Sequence, residues 1–170
     1  LDIRERAHHV ALDHLGPAAL VRLVGATDLP VDVIVWHLNV LAADGETVPW
    51  SAIEPLASDK RDIDYELLTI LADGDPGSRP WLLRIAADGD WRATDLAKSK
   101  LAPLLTEPPL ARAEVIEAER LRARLSDQLA EDDEPDEWMD EEDLEWRSRW
   151  RAATTAFLDR VDRALAAAAM

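Results

Sequence analysis

Acidic and histidine side chains near the start of the chain have a spacing that could hold a metal ion or move a proton. Glu5, His9 and Asp13 are four residues apart, so on an α-helix they lie on one face. Such a row of carboxylates and imidazole suits metal binding or general acid–base catalysis. A helical metal site also needs ligands from a second element, and His37 is the only histidine after His14. We therefore favour the interpretation that these residues lie on an exposed helix without a functional site. The alternative function is a small metal-binding or metal-dependent hydrolase domain that uses Glu5, His9, Asp13 and His37.

Other signatures of catalysis are missing from the sequence. His37 lies between Trp36 and Leu38 in an apolar run, which is typical of a hydrogen-bonded, partly buried histidine. The chain has no Gly-x-Ser-x-Gly or Ser-x-x-Lys nucleophile motif and no glycine-rich phosphate loop. It has no cysteine, which excludes disulfides and thiolate metal ligands. We predict no catalytic residue, no cofactor and no metal, and an enzyme is the less favoured class.

The most informative feature is an acidic segment, residues 127–145, that also contains tryptophan, methionine and leucine. Twelve of the 35 acidic residues lie in it without any Lys or Arg, whereas the other 23 nearly balance the 19 basic residues. It contains no glycine and so lacks the calcium-loop pattern. One interpretation is a solvated connector with a few apolar anchors on the body. The other is a binding segment that charge steers to a basic surface while apolar side chains dock.

The residues of this second interpretation fall into two groups. The docking residues are Trp138, Met139, Leu144, Trp146 and Trp150. The steering residues are Glu137, Asp140, Glu141, Glu142 and Asp143.

Charge and composition limit the partners. The formal net charge is −16 and no basic cluster is present, so direct binding of nucleic acid or of an anionic membrane is not expected. A nucleic-acid mimic that inhibits a DNA-binding protein is a less favoured alternative, because its acidity should cover a broad face. The lack of cysteine, signal peptide and long apolar run favours a cytoplasmic protein. The excess of Arg over Lys and the abundant Ala favour a bacterial source.

Helical periodicity extends over most of the chain. The run 31–36 is β-branched and has a strand as its alternative, and 82–94 could form a hairpin that turns at Asp88 and Gly89. The tetrapeptide Ala-Ala-Asp-Gly occurs at 42–45 and at 86–89, a spacing that suits paired-helix repeats, although the flanks do not align. Helices are predicted at 2–15, 17–24, 31–41, 49–57, 63–72, 80–87 and 95–105, the last with Thr94 as its N-cap.

Prolines at 103, 108 and 109 mark a change to two longer helices, predicted at 110–130 and 141–168. Near-heptad apolar stripes suit an antiparallel hairpin with 127–145 as its acidic connector. The second helix carries Trp146, Trp150, Ala153, Phe157, Val161, Ala164 and Ala168 on its stripe.

The predicted fold is therefore all-α, with a multi-helix body at 1–106 and a long antiparallel helical hairpin at 107–170. We predict a non-enzymatic protein–protein interaction module, such as an adaptor, a regulatory subunit or an inhibitor or immunity-type partner in a bacterial complex. Its partner is another protein with a basic surface. Self-association through 107–170 is a further expectation, because an exposed stripe could also pair with a second copy.

Overall fold

The computed structural model describes residues 14–16, 19, 20, 22, 31–57, 64–106, 108–131 and 139–170. In these residues the regular secondary structure is helical apart from one isolated β-bridge between Val48 and Leu71, so the all-α prediction is confirmed. The predicted helices at 2–15 and 17–24 lie almost entirely outside this part of the chain. The described α-helices are α1 (Val31–Ala43), α2 (Trp50–Ala57), α3 (Asp64–Ile70), α4 (Arg79–Asp88), α5 (Trp91–Leu101), α6 (Arg112–Glu131) and α7 (Glu141–Ala168).

The chain divides into two compact units, Leu1–Ser78 and Arg79–Met170. Helices α1 to α3 belong to the first unit and α4 to α7 to the second. The predicted domains, 1–106 and 107–170, divide the chain at a different point and stay a prediction.

The β-branched start of α1 is helical rather than extended. Its buried residues, including Ile34 and Leu38, recur at helical spacing and pack against α3. The helix ends in a Schellman motif at Gly45, where φ is +87° and the amide of Glu46 donates to the carbonyl of Leu41. Burial of a helical face thus outweighs the strand preference of the Val-rich sequence.

The second unit is held together by contacts of α4 with α5 and α6, and of α6 with α7. Arg122 of α6 pairs with Asp162 of α7 at 2.8 Å, and Arg151 of α7 donates to the carbonyl of Leu129 of α6 at 3.1 Å. The first contact joins an early residue of α6 to a late residue of α7, whereas the second joins a late residue of α6 to an earlier residue of α7. The two helices therefore pack antiparallel. Residues 132–138 lie outside the described chain, and the predicted hairpin as a whole therefore stays a prediction.

A buried ion pair links the start of α4 to the start of α6. Arg79 donates from Nε and Nη2 to the two carboxylate oxygens of Glu114 at 2.8 and 2.7 Å. The guanidinium also donates to the carbonyl of Pro108 at 2.6 Å, and Glu114 accepts from the amide of Ala111 at 2.6 Å. Burial alone would raise the pKa of Glu114, but the hydrogen bonds from Arg79 and Ala111 and the charge of Arg79 lower it below its usual value.

The junction between α4 and α5 differs from the prediction. Helix α5 begins at Trp91 with Asp90 as its N-cap, whose carboxylate accepts from the amide of Ala93 at 2.8 Å. Thr94 lies inside the helix, and its hydroxyl donates to the carbonyl of Gly89 at 3.1 Å. The predicted N-cap at Thr94 is wrong because the earlier Asp90 accepts from the free amide of Ala93. The alternative hairpin over 82–94 is wrong because the chain is helical on both sides of Gly89.

Candidate protein-binding surface

The acidic residues at the start of α7 first of all form the end of a helix. Asp140 is the N-cap, and its side chain accepts from the amide of Asp143 at 3.0 Å. The Asp143 carboxylate in turn accepts from the amide of Asp140 at 3.5 Å, which completes a capping box. Glu141 and Glu142 add negative charge to the same turn, where the helix dipole favours it. The apolar residues that follow are therefore carried on a regular helix.

The first turns of α7 are exposed on all sides. Every residue from 140 to 146 is exposed, and Arg147 is the first buried residue of the helix. The exposed fraction is 42% for Leu144 and 63% for Trp146. Of the predicted docking residues, these two are thus not anchored on the described body of the protein.

Trp146, Trp150, Ala153 and Phe157, here called the aromatic stripe, lie along α7. Their spacing of four, three and four residues places them on one face. The burial of the three rings changes along the helix, since Phe157 is buried, Trp150 is half-buried and Trp146 is exposed. The face of α7 that points into the second unit contains Arg147 and Thr154 together with Phe157, Val161 and Ala164.

Membership of the near-heptad stripe therefore does not bury Trp146. Helix α6 ends at Glu131, and its Leu129 already lies beside Arg151. Within the described residues, the turns of α7 that precede this contact have little of α6 alongside them. A local pattern of apolar residues does not reveal where the neighbouring helix ends.

An open groove of about 440 Å³ runs between α5 and α7, beside the aromatic stripe. Ala153 and Phe157 contribute apolar surface, and Lys98 and Arg160 add positive charge. Lys98 pairs with Asp95 at 3.3 Å, whereas Arg160 forms no ion pair or hydrogen bond with any described residue. The groove therefore combines an apolar floor with a basic group whose charge is available to a partner.

The remaining predicted docking and steering residues are divided between described and undescribed parts of the chain. Glu137 and Trp138 lie outside the described residues, while Met139 is half-buried just before the N-cap.

The sequence pattern identifies the aromatic stripe but gives no indication of a role for Lys98 or Arg160. Lys98 is far from α7 in sequence, and nothing in its local pattern indicates that it lines the same groove as residues of that helix.

Of the four residues of the alternative metal site, only His37 belongs to the part of the chain that the structure describes. Glu5, His9 and Asp13 lie outside the described residues. His37 is 1% exposed, and its ring contacts Trp36 edge-on with 4.7 Å between the ring centroids. Across the described ranges, no group of three or more His, Asp or Glu side chains could hold a metal ion.

None of the described helices is long and apolar enough to cross a bilayer. A comparison of the sequence with protein-family models, with curated proteins and with solved structures finds no match.

Proposed function

We propose that this chain is a non-enzymatic protein–protein interaction module whose binding surface is the exposed start of α7. The observation that carries the proposal is the 63% exposure of Trp146 on a capped helix, whose other side carries the exposed Leu144. Tryptophan is enriched among residues that dominate binding energy, and a helix presents it with little ordering left to do on binding. An adaptor, a regulatory subunit or an inhibitor of a bacterial complex would use such a surface.

The carboxylates around Trp146 have a separate role in the proposal. Glu141, Glu142 and Glu145 are exposed and surround an apolar anchor, so they would attract a partner with a basic surface and speed its approach. Glu145 has only a long contact of 3.7 Å with Arg149, which leaves most of its charge available. The cytoplasmic location stays a prediction.

The test is capture of partners from an extract of the source organism by the tagged full chain. We expect the double variant Leu144→Ala/Trp146→Ala to lose the captured protein, because truncating an interface tryptophan costs about 2–4 kcal/mol of binding free energy. The matched control is Ile116→Ala, which removes an aliphatic side chain that is 58% exposed on α6. Circular dichroism should show both variants folded, since the substituted side chains are exposed. Equal capture by the double variant and the control would refute the proposal.

A further inference from the structure

One strip of α7, which runs from exposed residues at its start to the partly buried edge of the groove, complements itself when it is paired with a reversed copy. Asp143 precedes the aromatic stripe in the sequence and Arg160 follows it. Consecutive members of these six residues are three, four, three, four and three positions apart. This spacing keeps them within a strip about 100° wide on an α-helix. Reversal about a point between residues 151 and 152 places Asp143 opposite Arg160, Trp146 opposite Phe157, and Trp150 opposite Ala153.

We propose that the occupant of this surface is a second copy of the chain, docked so that the two α7 helices run antiparallel about a two-fold axis. The inference rests on the proposed function, because it names the partner of the same surface. A two-fold interface needs a patch that complements itself, so that each contact occurs twice. The face of α7 meets this condition with an acid opposite a base, an aromatic ring opposite an aromatic ring, and a large residue opposite a small one.

The groove between α5 and α7 gives the second copy a place to lie. Trp146 of one copy would enter the groove of the other, against Phe157 and Ala102, where about 440 Å³ is open. That tryptophan is 63% exposed in the single chain and would lose most of this exposure. Burial of apolar surface on this scale is the usual driving force for association.

Charge complementarity identifies the second copy as the occupant. The partner of this surface must present a cation beside the acidic start of α7 and a carboxylate beside Arg160. Arg160 is exposed and has no ion pair or hydrogen bond with a described residue. Among the described residues of the single chain, the Asp143 carboxylate accepts only a long hydrogen bond of 3.5 Å. Arg160 of the second copy would supply the cation, and Asp143 of that copy would supply the carboxylate.

Sedimentation velocity of the purified full chain, from low micromolar to submillimolar concentration, tests the inference directly. We expect a reversible monomer–dimer equilibrium. Asp143→Arg alone and Arg160→Asp alone should each raise the dissociation constant about tenfold or more, because each places like charges together twice. The double variant Asp143→Arg/Arg160→Asp should return the dissociation constant to within about threefold of the original, since the pair is restored with its signs exchanged.

Arg163→Asp is the matched control, because it makes the same change of charge at another exposed arginine of α7 that lies off the strip. We expect it to change the dissociation constant much less than Arg160→Asp does. A chain that stays monomeric throughout, an equal effect of the two arginine variants, or a double variant no better than the singles would overturn the inference. A monomeric chain that still loses a different captured protein on Leu144→Ala/Trp146→Ala would overturn the second copy as partner and leave the proposed function standing.

Discussion

Replacement of Glu114 by glutamine probes how strongly the buried ion pair with Arg79 stabilises the second unit. The side chains of Arg79 and Glu114 are 6% and 7% exposed, so water cannot replace the lost carboxylate. Glutamine has a similar shape, but it offers one acceptor oxygen and turns an NH₂ group towards a guanidinium that also donates. Arg79 would then be a buried cation without a counter-ion, left with the glutamine oxygen and three backbone carbonyl groups, those of Leu104, Pro108 and Pro109.

The magnitude follows from the contacts that the charge supports. Two hydrogen bonds join Arg79 to the carboxylate at 2.8 and 2.7 Å, and a third joins the amide of Ala111 to it at 2.6 Å. A hydrogen bond to a charged group contributes about 1.5–3 kcal/mol, and removing one partner of a buried pair costs about 3–5 kcal/mol. We expect Glu114→Gln to lower the free energy of unfolding by about 3–4 kcal/mol, a large share of a typical domain's stability.

Urea unfolding at neutral pH, followed by circular dichroism, measures this loss. The matched control is Glu117→Gln on the same helix, which removes a charge from the solvent-accessible pair with Arg120 and should cost less than about 1 kcal/mol. Arg79→Met/Glu114→Leu should recover part of the stability, because it leaves no unpaired charge behind, although the backbone groups that the ion pair contacts lose their partners. Equal losses for the two glutamine variants would show that the reasoning about burial is wrong.

Two further predictions concern pH and the end of α4. The pKa of Glu114 is lowered in the folded chain, so its contribution to stability is present above the usual glutamate pKa and is lost as the pH falls through the folded value. The urea midpoint should therefore fall on acidification more steeply in the original chain than in Glu114→Gln; parallel curves would contradict this. Arg124 donates to the carbonyl of Ala87 at 2.6 Å at the C-terminus of α4, so Arg124→Ala should cost about 1–2 kcal/mol. Arg122→Ala, which removes a surface pair, should cost less in the same urea titration, and equal costs would argue against the capping role.

The acidic start of α7 has a structural role in the helix cap and a proposed role in steering a partner, and the two need separate tests. Asp140 and Asp143 form the capping box, so their substitution affects the helix end as well as any steering of a partner. A loss of the N-cap by itself costs about 1 kcal/mol. Arg160 has no such second role in the described residues, which makes Arg160→Asp the cleaner single variant for the self-association test. Glu142 and Glu145 are the better choices for testing steering, because neither belongs to the box.

Much of the helical pattern can be predicted from local sequence. The bounds of α7 agree with the acid-rich start and the near-heptad apolar stripe, since both caps and periodicity are local properties. The sequence also favours a helix over a strand at α1, because Asp28 followed by Pro30 is a typical helix start and the apolar run after it is long. It does not locate the start of α5, because Asp90 and Thr94 are both good N-caps and local preference does not rank them.

The candidate surface is only partly predictable, because its exposure depends on the length of a neighbouring helix. Apolar periodicity marks Trp146 and Phe157 as members of one stripe, but only the end of α6 at Glu131 separates an exposed ring from a buried one. The groove residue Lys98 lies on another helix and is brought to α7 by packing alone.

The sequence by itself determines that this chain is helical, where its long helices lie, and that its acidity is concentrated before and within the start of α7. These properties depend on interactions between residues a few positions apart. Tertiary structure alone decides that Arg79 meets Glu114 across 35 positions, that Trp146 is left exposed, and that α5 and α7 enclose a groove. Such outcomes depend on which helices pack together and where each one ends, and that is decided by the burial of the whole core rather than by any local pattern.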